Sequence, residues 1–392
     1  MNCLVISDVF PNRLQPWRGP YNRRQIECLA EHCHVEVINP IPWPRFLADP
    51  RTLKLPGRPD SVLSGIAVYH PVFFYLPVLR RGAHWRGIYR AAVRALRRWI
   101  VDPPDVILAT FAYPHGRAAL ELARDLEVPY AVKVRGSDMH SLADYPRRHD
   151  GTVEALRGAS AVVAVSSNLA DIALDLGIRP AHIHVLPNGV DADAFPLIER
   201  REARRRLGLP QDRRIVLYVG NLLPVKGLDV LLNAAQRDSN GWLEGTDTVL
   251  ALAGKGPLEK EIRAKISEHG LEKRVRLLGY LGRDEVKLWM NAADVLVLPS
   301  RNEGCPNVVL EALACGTPVV ASRVGGIPDM LDEDCGIQVE PENPVALADA
   351  IQQALNCRWD RDLIRARVEG MSWQANARQL YEVLRCAVDH SN

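Results

Sequence analysis

The sequence predicts an α/β protein of two domains, each a parallel sheet covered by helices. Three observations carry this. Short apolar strands alternate with helical stretches along the chain. At 392 residues the chain exceeds the span of one ordinary hydrophobic core. Near its middle the turn-forming run Pro187, Asn188, Gly189, Val190, Asp191 and the charged segment 198–208 interrupt the alternation.

The strands of the first half read as CLVIS (3–7), HVEVI (34–38), DVILA (105–109), YAVKV (130–134), AVVAV (161–165) and HIHVL (182–186). Those of the second read as IVLYVG (215–220), TVLALAG (248–254), RVRLLG (274–279), DVLVLPS (294–300) and PVVAS (318–322). Domains are therefore expected over 1–190 and 191–372, followed by a helical stretch from about 373 to 392. The proline-rich segment 40–50 reads as a loop, because each proline removes a backbone donor.

Composition excludes several classes. With 47% hydrophobic and 24% charged residues and no apolar run of membrane-spanning length, the chain reads as a soluble protein. Its start lacks a basic flank and meets Asp8 after a short apolar run, which fits a first strand better than a signal peptide. A net charge of +2 with no nucleic-acid motif argues against a nucleic-acid partner. Eight scattered cysteines without a CxxC pair fit reduced thiols, hence a cytoplasmic location. Cys28, His32, Cys33 and His34 offer metal-ligand types but no zinc spacing, and no DxD pair stands in a loop suited to a metal-bound diphosphate. No metal and no other cofactor is expected.

One local charge anomaly stands out. Between Arg80 and Arg98 there are seven arginines and no acid, with Arg86, Arg90, Arg94 and Arg97 on one helical face. Ile88, Ala92, Ala95, Leu96 and Trp99 take the other. Such a helix either packs on its domain with a solvated basic side or docks on anionic lipid, which would place the protein peripherally at the inner face of the cell membrane.

The most specific chemistry lies in EGCPNVVLEALACGTPVVAS, 303–322, directly after the strand DVLVLPS. Pro306 suits a first helical turn, which puts Glu303 in the preceding loop and Glu311 about one and a half turns inside the helix. One acid can then face a sugar and the other a ribose. The N–H groups of Gly304, Cys305, Asn307 and Val308 surround a helix N-terminus, a natural anion cradle.

This E-x7-E element with its following small-residue segment resembles the retaining family 4 glycosyltransferases, especially the branch associated with teichuronic-acid and exopolysaccharide synthesis. The resemblance spans nearly the whole chain: YPHGRAALELA and VRGSDMH in the first half, PNGVD at the hinge, then VGNLLPVKGLD, AGKGPLEKEI and VASRVGGIPDML. It implies the GT-B fold, two Rossmann-like domains with parallel sheets facing across a cleft, the first binding acceptor and the second a nucleotide sugar, and a final helix returning to the first domain. It further implies transfer of a sugar from a nucleotide sugar to a hydroxyl of a glycan or lipid-linked saccharide. Two other readings stay open, a sugar-nucleotide epimerase of the same fold and a noncatalytic nucleotide-sugar-binding subunit; GKGPLE is only a partial dinucleotide motif.

Carried residue by residue, the resemblance makes Lys226 the diphosphate cation and Glu303 the sugar-binding acid. Gly254 and Gly256 become points of close backbone approach, Tyr280 a base-side contact through its backbone, and Gly19 a turn at the donor phosphates. Asn221 stands where the family usually has arginine, so one expected cation is absent, and Arg135 or Arg23 is the substitute on offer. His115, taken with Lys226 and Glu303 as a candidate catalytic residue, and Asp138 follow strand ends, where open α/β sheets bind ligands. His115 stands where many relatives have an acid, while Thr110 and Arg135 stand where they have histidines. Arg135 and Asp138 are accordingly candidates for acceptor or phosphate binding.

Overall fold

The computed structural model describes residues 1–12, 15–43, 61–74, 84–100, 102–140, 146–236, 242–243 and 247–391. Of the expected loop at 40–50, residues 44–50 lie outside these residues, as do Arg80 and Arg81, while Ile41–Pro42 forms a short strand instead, paired with Val72–Phe73. The chain separates into two compact units, one of Met1–Asn188 with Trp373–Asn392 and one of Gly189–Ser372.

The first unit contains β1 (Asn2–Ile6), α1 (Pro20–Leu29), β2 (His34–Ile38), β3 (Ile41–Pro42), β4 (Ser61–Leu63), β5 (Ile66–Tyr69) and β6 (Val72–Phe73). It continues with α2 (His84–Arg98), β7 (Val106–Thr110), α3 (Arg117–Leu126), β8 (Tyr130–Val134), α4 (Pro146–Arg157), β9 (Ala161–Ala164), α5 (Ser167–Asp175) and β10 (Ile183–Val185). Its main sheet runs β10-β9-β8-β7-β1-β2-β5-β4 and is parallel except for β4, which pairs antiparallel with β5. Every residue of β7 and β8 is buried, as expected for parallel strands covered on both faces.

The second unit holds α6 (Arg200–Arg206), β11 (Arg214–Val219), α7 (Leu228–Gln236), β12 (Thr248–Ala253), α8 (Glu259–Glu268), β13 (Val275–Gly279) and α9 (Arg283–Ala292). It ends with β14 (Val295–Leu298), α10 (Asn307–Ala314), β15 (Val319–Ser322), α11 (Ile327–Met330), β16 (Gly336–Val339), α12 (Pro344–Asn356) and α13 (Arg361–Ala366). Its parallel sheet runs β13-β12-β11-β14-β15-β16, the doubly wound order whose direction of winding reverses between β11 and β14.

The last helix, α14 (Trp373–Asp389), belongs to the first unit. Trp373, Ala377, Leu380 and Leu384 join that unit's core, and the indole of Trp373 stacks on Tyr21 of α1 with centroids 6.3 Å apart. Asn376 accepts from Gln25 Nε2 at 2.5 Å and donates to the Pro187 carbonyl at 2.5 Å, while Gln25 Oε1 accepts from the buried Lys133 ammonium at 2.7 Å. A polar chain thus pins the returning helix to β8, to α1 and to the end of the unit. Each member is satisfied by another, which is the condition under which polar groups can be buried.

The basic helix α2 is amphipathic as its sequence indicates. Ile88, Ala91, Ala92 and Ala95 are buried, whereas Arg86, Arg90, Arg94, Arg97 and Arg98 are exposed. No described helix is long and apolar enough to cross a membrane.

Candidate active site

In the second unit the loops after β11 and β14 flank the point where the sheet's winding reverses, the usual ligand crevice of such sheets. Lys226 ends a short 3₁₀ turn, Pro224–Lys226, in the first loop, and Glu303 lies in the second. Lys226 Nζ donates to Glu303 Oε1 at 2.6 Å, and the Ser300 hydroxyl donates to the same oxygen at 2.6 Å. Glu303 is 9% exposed and Ser300 fully buried, so the carboxylate is fixed from two sides in a largely dehydrated place.

Glycines allow the loops to meet. Gly227 has φ +63°, and a Cβ there would lie 2.0 Å from the Pro299 carbonyl oxygen. At Gly254, φ +148°, it would lie 1.8 Å from the Gly220 oxygen, and at Gly256 2.3 Å from the Leu222 oxygen. At Gly325, φ +55°, it would lie 1.8 Å from the Glu303 oxygen. Gly254 and Gly256 therefore bring the loop after β12 onto the backbone of the loop after β11. Asn221 is exposed in that latter loop, with its carbonyl accepting from the Tyr218 hydroxyl at 2.9 Å.

The E-x7-E element begins as the sequence indicates, with one adjustment. Pro306 has φ −73° and ψ 107° and is the N-cap of α10, so the first helical residue is Asn307. Its missing N–H costs nothing at either place, but extended dihedrals put it before the helix. Gly304 and Val308 are half-buried, Cys305 and Asn307 are 9% exposed, and Glu311 is 8% exposed on the helix. The Gly304 carbonyl accepts from Gly326 N–H at 2.8 Å, so the loop after β15 supports this one. Tyr280 follows β13 with its side chain 70% exposed, and the preceding Gly279 carbonyl accepts from Gly254 N–H at 2.7 Å.

Sequence reasoning missed the groups that brace this pair. Arg301 donates to both carboxylate oxygens of Asp229, at 2.9 and 2.8 Å, to Glu342 Oε1 at 2.7 Å and to the Pro224 carbonyl at 2.6 Å. Hydrogen bonding from Arg301 holds the Asp229 carboxyl below its ordinary range, and the same bonds raise the Arg301 pKa. Burial, with Glu303 as a lesser cause, pushes the Tyr218 phenol up. The position of Arg301 two residues before Glu303 was the available signal; that of Asp229 in the first turn of α7 looks like an ordinary dipole acid.

In the first unit Gly19, φ +64°, caps α1, where a Cβ would lie 2.3 Å from the Val9 oxygen. His115 is 1% exposed, and its Nε2 accepts from Asp8 N–H at 3.1 Å. Burial lowers its pKa, opposed chiefly by the nearby Asp8 carboxylate. Accepting at Nε2 requires the neutral ring with its proton on Nδ1. Asp138 accepts from the backbone N–H groups of Ala112 (2.8 Å), Arg135 (3.0 Å) and Gly136 (3.1 Å), and burial raises its pKa against those bonds. Its carboxylate is engaged in joining the loops after β7 and β8. The Arg135 guanidinium donates to Asn22 Oδ1 on α1 and lies 5.7 Å from the centre of the Phe111 ring. Asn22 in turn donates to the Val9 carbonyl at 2.9 Å. Gly19, Arg135, His115 and Asp138 thus gather on loops at the ends of β1, β7 and β8, while Arg23 pairs with Glu27 at 2.8 Å. Among the described residues no group of three His, Cys, Asp or Glu side chains is arranged to hold a metal ion.

Two family models cover most of the chain. Glycosyltransferase Family 4 matches residues 19–194, and Glycosyl transferases group 1 matches residues 199–369. A candidate teichuronic acid biosynthesis glycosyltransferase of Bacillus subtilis, TuaC, is 31% identical over 363 residues, 90% of this chain and 88% of its own. D-inositol 3-phosphate glycosyltransferase 1 of Catenulispora acidiphila is 30% identical over 294 residues, 70% of each chain. Among solved structures, sucrose-phosphate synthase from Thermosynechococcus elongatus superposes with a TM-score of 0.81 at 22% identity, covering all of both chains. Anabaena HepE, solved with UDP and glucose, gives 0.72 at 20% identity over 98% of this chain and 100% of that one.

Proposed function

This chain belongs to glycosyltransferase family 4, a nucleotide-sugar-dependent transferase of the GT-B fold, and from that premise we propose how its residues divide the work. The second unit binds the donor, with Lys226 on the diphosphate, Glu303 on the sugar hydroxyls and Glu311 on the ribose. The observation that carries this is the 2.6 Å contact of Lys226 with Glu303 at the winding reversal of the sheet. The Glu303 carboxylate there occupies the ammonium that a phosphate oxygen would use. An arriving diphosphate, with more charge, takes over Lys226 and releases Glu303 toward the sugar.

The backbone N–H groups from Gly304 to Val308, Pro306 excepted, add dipoles at the helix start. Gly254, Gly256, Asn221 and the Tyr280 backbone border the nucleotide. Lys226 and the N–H dipoles stabilise the charge that grows on the leaving diphosphate, so no metal is needed. The acceptor hydroxyl forms its bond to the anomeric carbon on the face the diphosphate leaves, the sugar–phosphate bond breaks, and a phosphate oxygen takes the hydroxyl proton. Configuration is retained without a side-chain nucleophile.

The first unit serves the acceptor, a glycan or lipid-linked saccharide in cell-surface polysaccharide synthesis, a reading in keeping with the teichuronic acid biosynthesis that the TuaC name gives for that relative. Arg135 is the candidate contact there. His115 acts through its fixed neutral ring, which holds the loop after β1 by accepting from Asp8 N–H. The exposed arginines of α2 support a peripheral position at the inner face of the membrane.

The test is a donor screen in which the protein is given labelled UDP-, GDP- and dTDP-sugars with membrane extract as acceptor source. Incorporation of label into lipid or polysaccharide that depends on Glu303 supports the reading. Conversion of a donor into an isomeric sugar without incorporation would replace it with epimerisation.

A further inference from the structure

An ion cluster centred on Arg301 adjoins the loops that bear the Lys226–Glu303 pair without itself belonging to the donor contacts. We infer that Arg301 is a positioning residue: with Asp229 it forms a clamp that sets Lys226 at its working distance from Glu303. The inference rests on the donor-site reading above and goes beyond it, since neither residue is assigned to the nucleotide sugar.

Arg301 stands in the loop after β14, two residues before Glu303. Each of its bonds but one reaches the turn that carries Lys226 or the helix that follows it. Its backbone N–H donates to the Val225 carbonyl at 2.8 Å, and its Nη1 donates to the Pro224 carbonyl at 2.6 Å, so both residues before Lys226 are held. The fork on Asp229, 2.9 and 2.8 Å, holds the first turn of α7 just past Gly227. The turn bearing Lys226 is therefore fastened on both its sides to the loop bearing Glu303. The remaining bond, to Glu342 at 2.7 Å, reaches an acid that is 65% exposed on its side chain.

A planar guanidinium can make the Asp229 fork and the carbonyl bond together, whereas a lysine offers one ammonium and no fixed plane. Arg301 and Asp229 are each only about a third exposed, 31% and 39% on their side chains, so the fork is partly shielded from water. Loosening it lets the Lys226 turn drift relative to Glu303, and a displacement of about 1 Å at a reacting centre can cost on the order of 100-fold.

The test is a double-mutant cycle on nucleoside diphosphate binding, read by calorimetry with UDP, GDP, ADP and dTDP, using the one that the parent binds tightest. Lys226→Ala should weaken it by about 10-fold or more, the loss of one charge-assisted contact. Arg301→Ala should weaken it by about 5- to 10-fold in the parent but by less than about 2-fold when Lys226 is already replaced, because a group that acts through Lys226 has nothing left to position. Arg301→Lys should fall between parent and Arg301→Ala, and it replaces that variant in the cycle if Arg301→Ala does not fold. Glu342→Gln should leave affinity within about 2-fold.

Equal losses from Arg301 replacement with and without Lys226 would overturn the clamp and leave Arg301 a general stabiliser. If Lys226→Ala itself binds like the parent, or if the parent binds none of the four diphosphates, the donor-site reading falls instead, and the clamp with it.

Discussion

Gly325→Ala turns a backbone observation into a rate. Gly325 sits after β15 at φ +55°, and an added Cβ would lie 1.8 Å from the Glu303 carbonyl oxygen and 2.6 Å from its carbonyl carbon. Real Cβ contacts essentially never come under 3.0 Å, so the Glu303 loop must retreat by more than about 1 Å or the Gly325 turn must open. Left-handed φ adds roughly 1 kcal/mol of strain for a residue with a Cβ. The Glu303 carboxylate is held by Ser300 and Lys226, both at 2.6 Å, and a shift of that size breaks at least one of these contacts. Sugar transfer should fall on the order of 100-fold in kcat/KM. Gly370 provides the control: its φ is +83° but nothing lies within 4 Å of a Cβ, so Gly370→Ala meets the strain without the collision and should keep transfer within about 3-fold. The assay is label transfer from the donor identified in the screen, with thermal melts to confirm that both variants fold. Parental transfer by a folded Gly325→Ala would refute the argument that the Glu303 backbone is fixed by this contact.

Three further outcomes follow from the same structure. Transfer by the parent should persist in excess chelator, with Lys226→Ala impaired equally with and without it; a strict need for added divalent metal contradicts the assignment of diphosphate charge to Lys226. Replacing Arg86, Arg90, Arg94 and Arg97 by Gln should release the protein from anionic vesicles, as should raised salt, at about 1 kcal/mol per arginine near the surface, while sparing a short soluble acceptor. Equal sedimentation of parent and variant returns α2 to a solvated basic surface. Burial lowers the pKa of His84 to about 4 and lowers that of His115, so below the ordinary histidine value of about 6.5 the unfolded chain binds protons that the folded chain does not. Their contribution to stability is therefore complete above about pH 6.5 and declines as pH falls toward 4. Denaturant midpoints measured from pH 7.5 to 5 should fall less steeply for His115→Gln than for the parent, and identical slopes would show that His115 does not carry the effect.

Much of the architecture is legible because central parallel strands are nearly continuous apolar runs, interrupted only by polar residues such as Thr110, Lys133 and Thr248. VILAT, YAVKV and TVLALA are wholly buried and unmistakable. The hairpin of β4 and β5 and the edge strand β16 were not read from the sequence, for physical reasons. The hairpin turn uses Ser64 and Gly65, both at positive φ, between strands too short to show a period. GIQV in β16 has one neighbour only and carries half-buried residues, so its apolar signal is weak.

The candidate site was legible to the extent that it is local. Glu303, Glu311 and the glycines belong to contiguous motifs, and Lys226 follows its strand at a motif's spacing. The meeting of Lys226 with Glu303, and the Arg301–Asp229 fork beneath it, depend on β11 lying beside β14, an adjacency that strand order creates and residue spacing does not encode. Asp138 shows the converse. A buried acid after a strand resembles a ligand in sequence, while in the fold three backbone N–H groups hold it.

The division of labour between the two acids is tested most directly by measuring transfer rate and nucleoside diphosphate affinity on Glu303→Gln and Glu311→Gln side by side. Glu303→Gln should lose transfer by about 100-fold or more, yet bind the diphosphate at least as tightly as the parent, because the carboxylate that competes for Lys226 at 2.6 Å has become a neutral amide. Glu311→Gln should weaken the diphosphate itself. Parental transfer by a folded Glu303→Gln, or loss of diphosphate binding from that variant alone, would contradict the account.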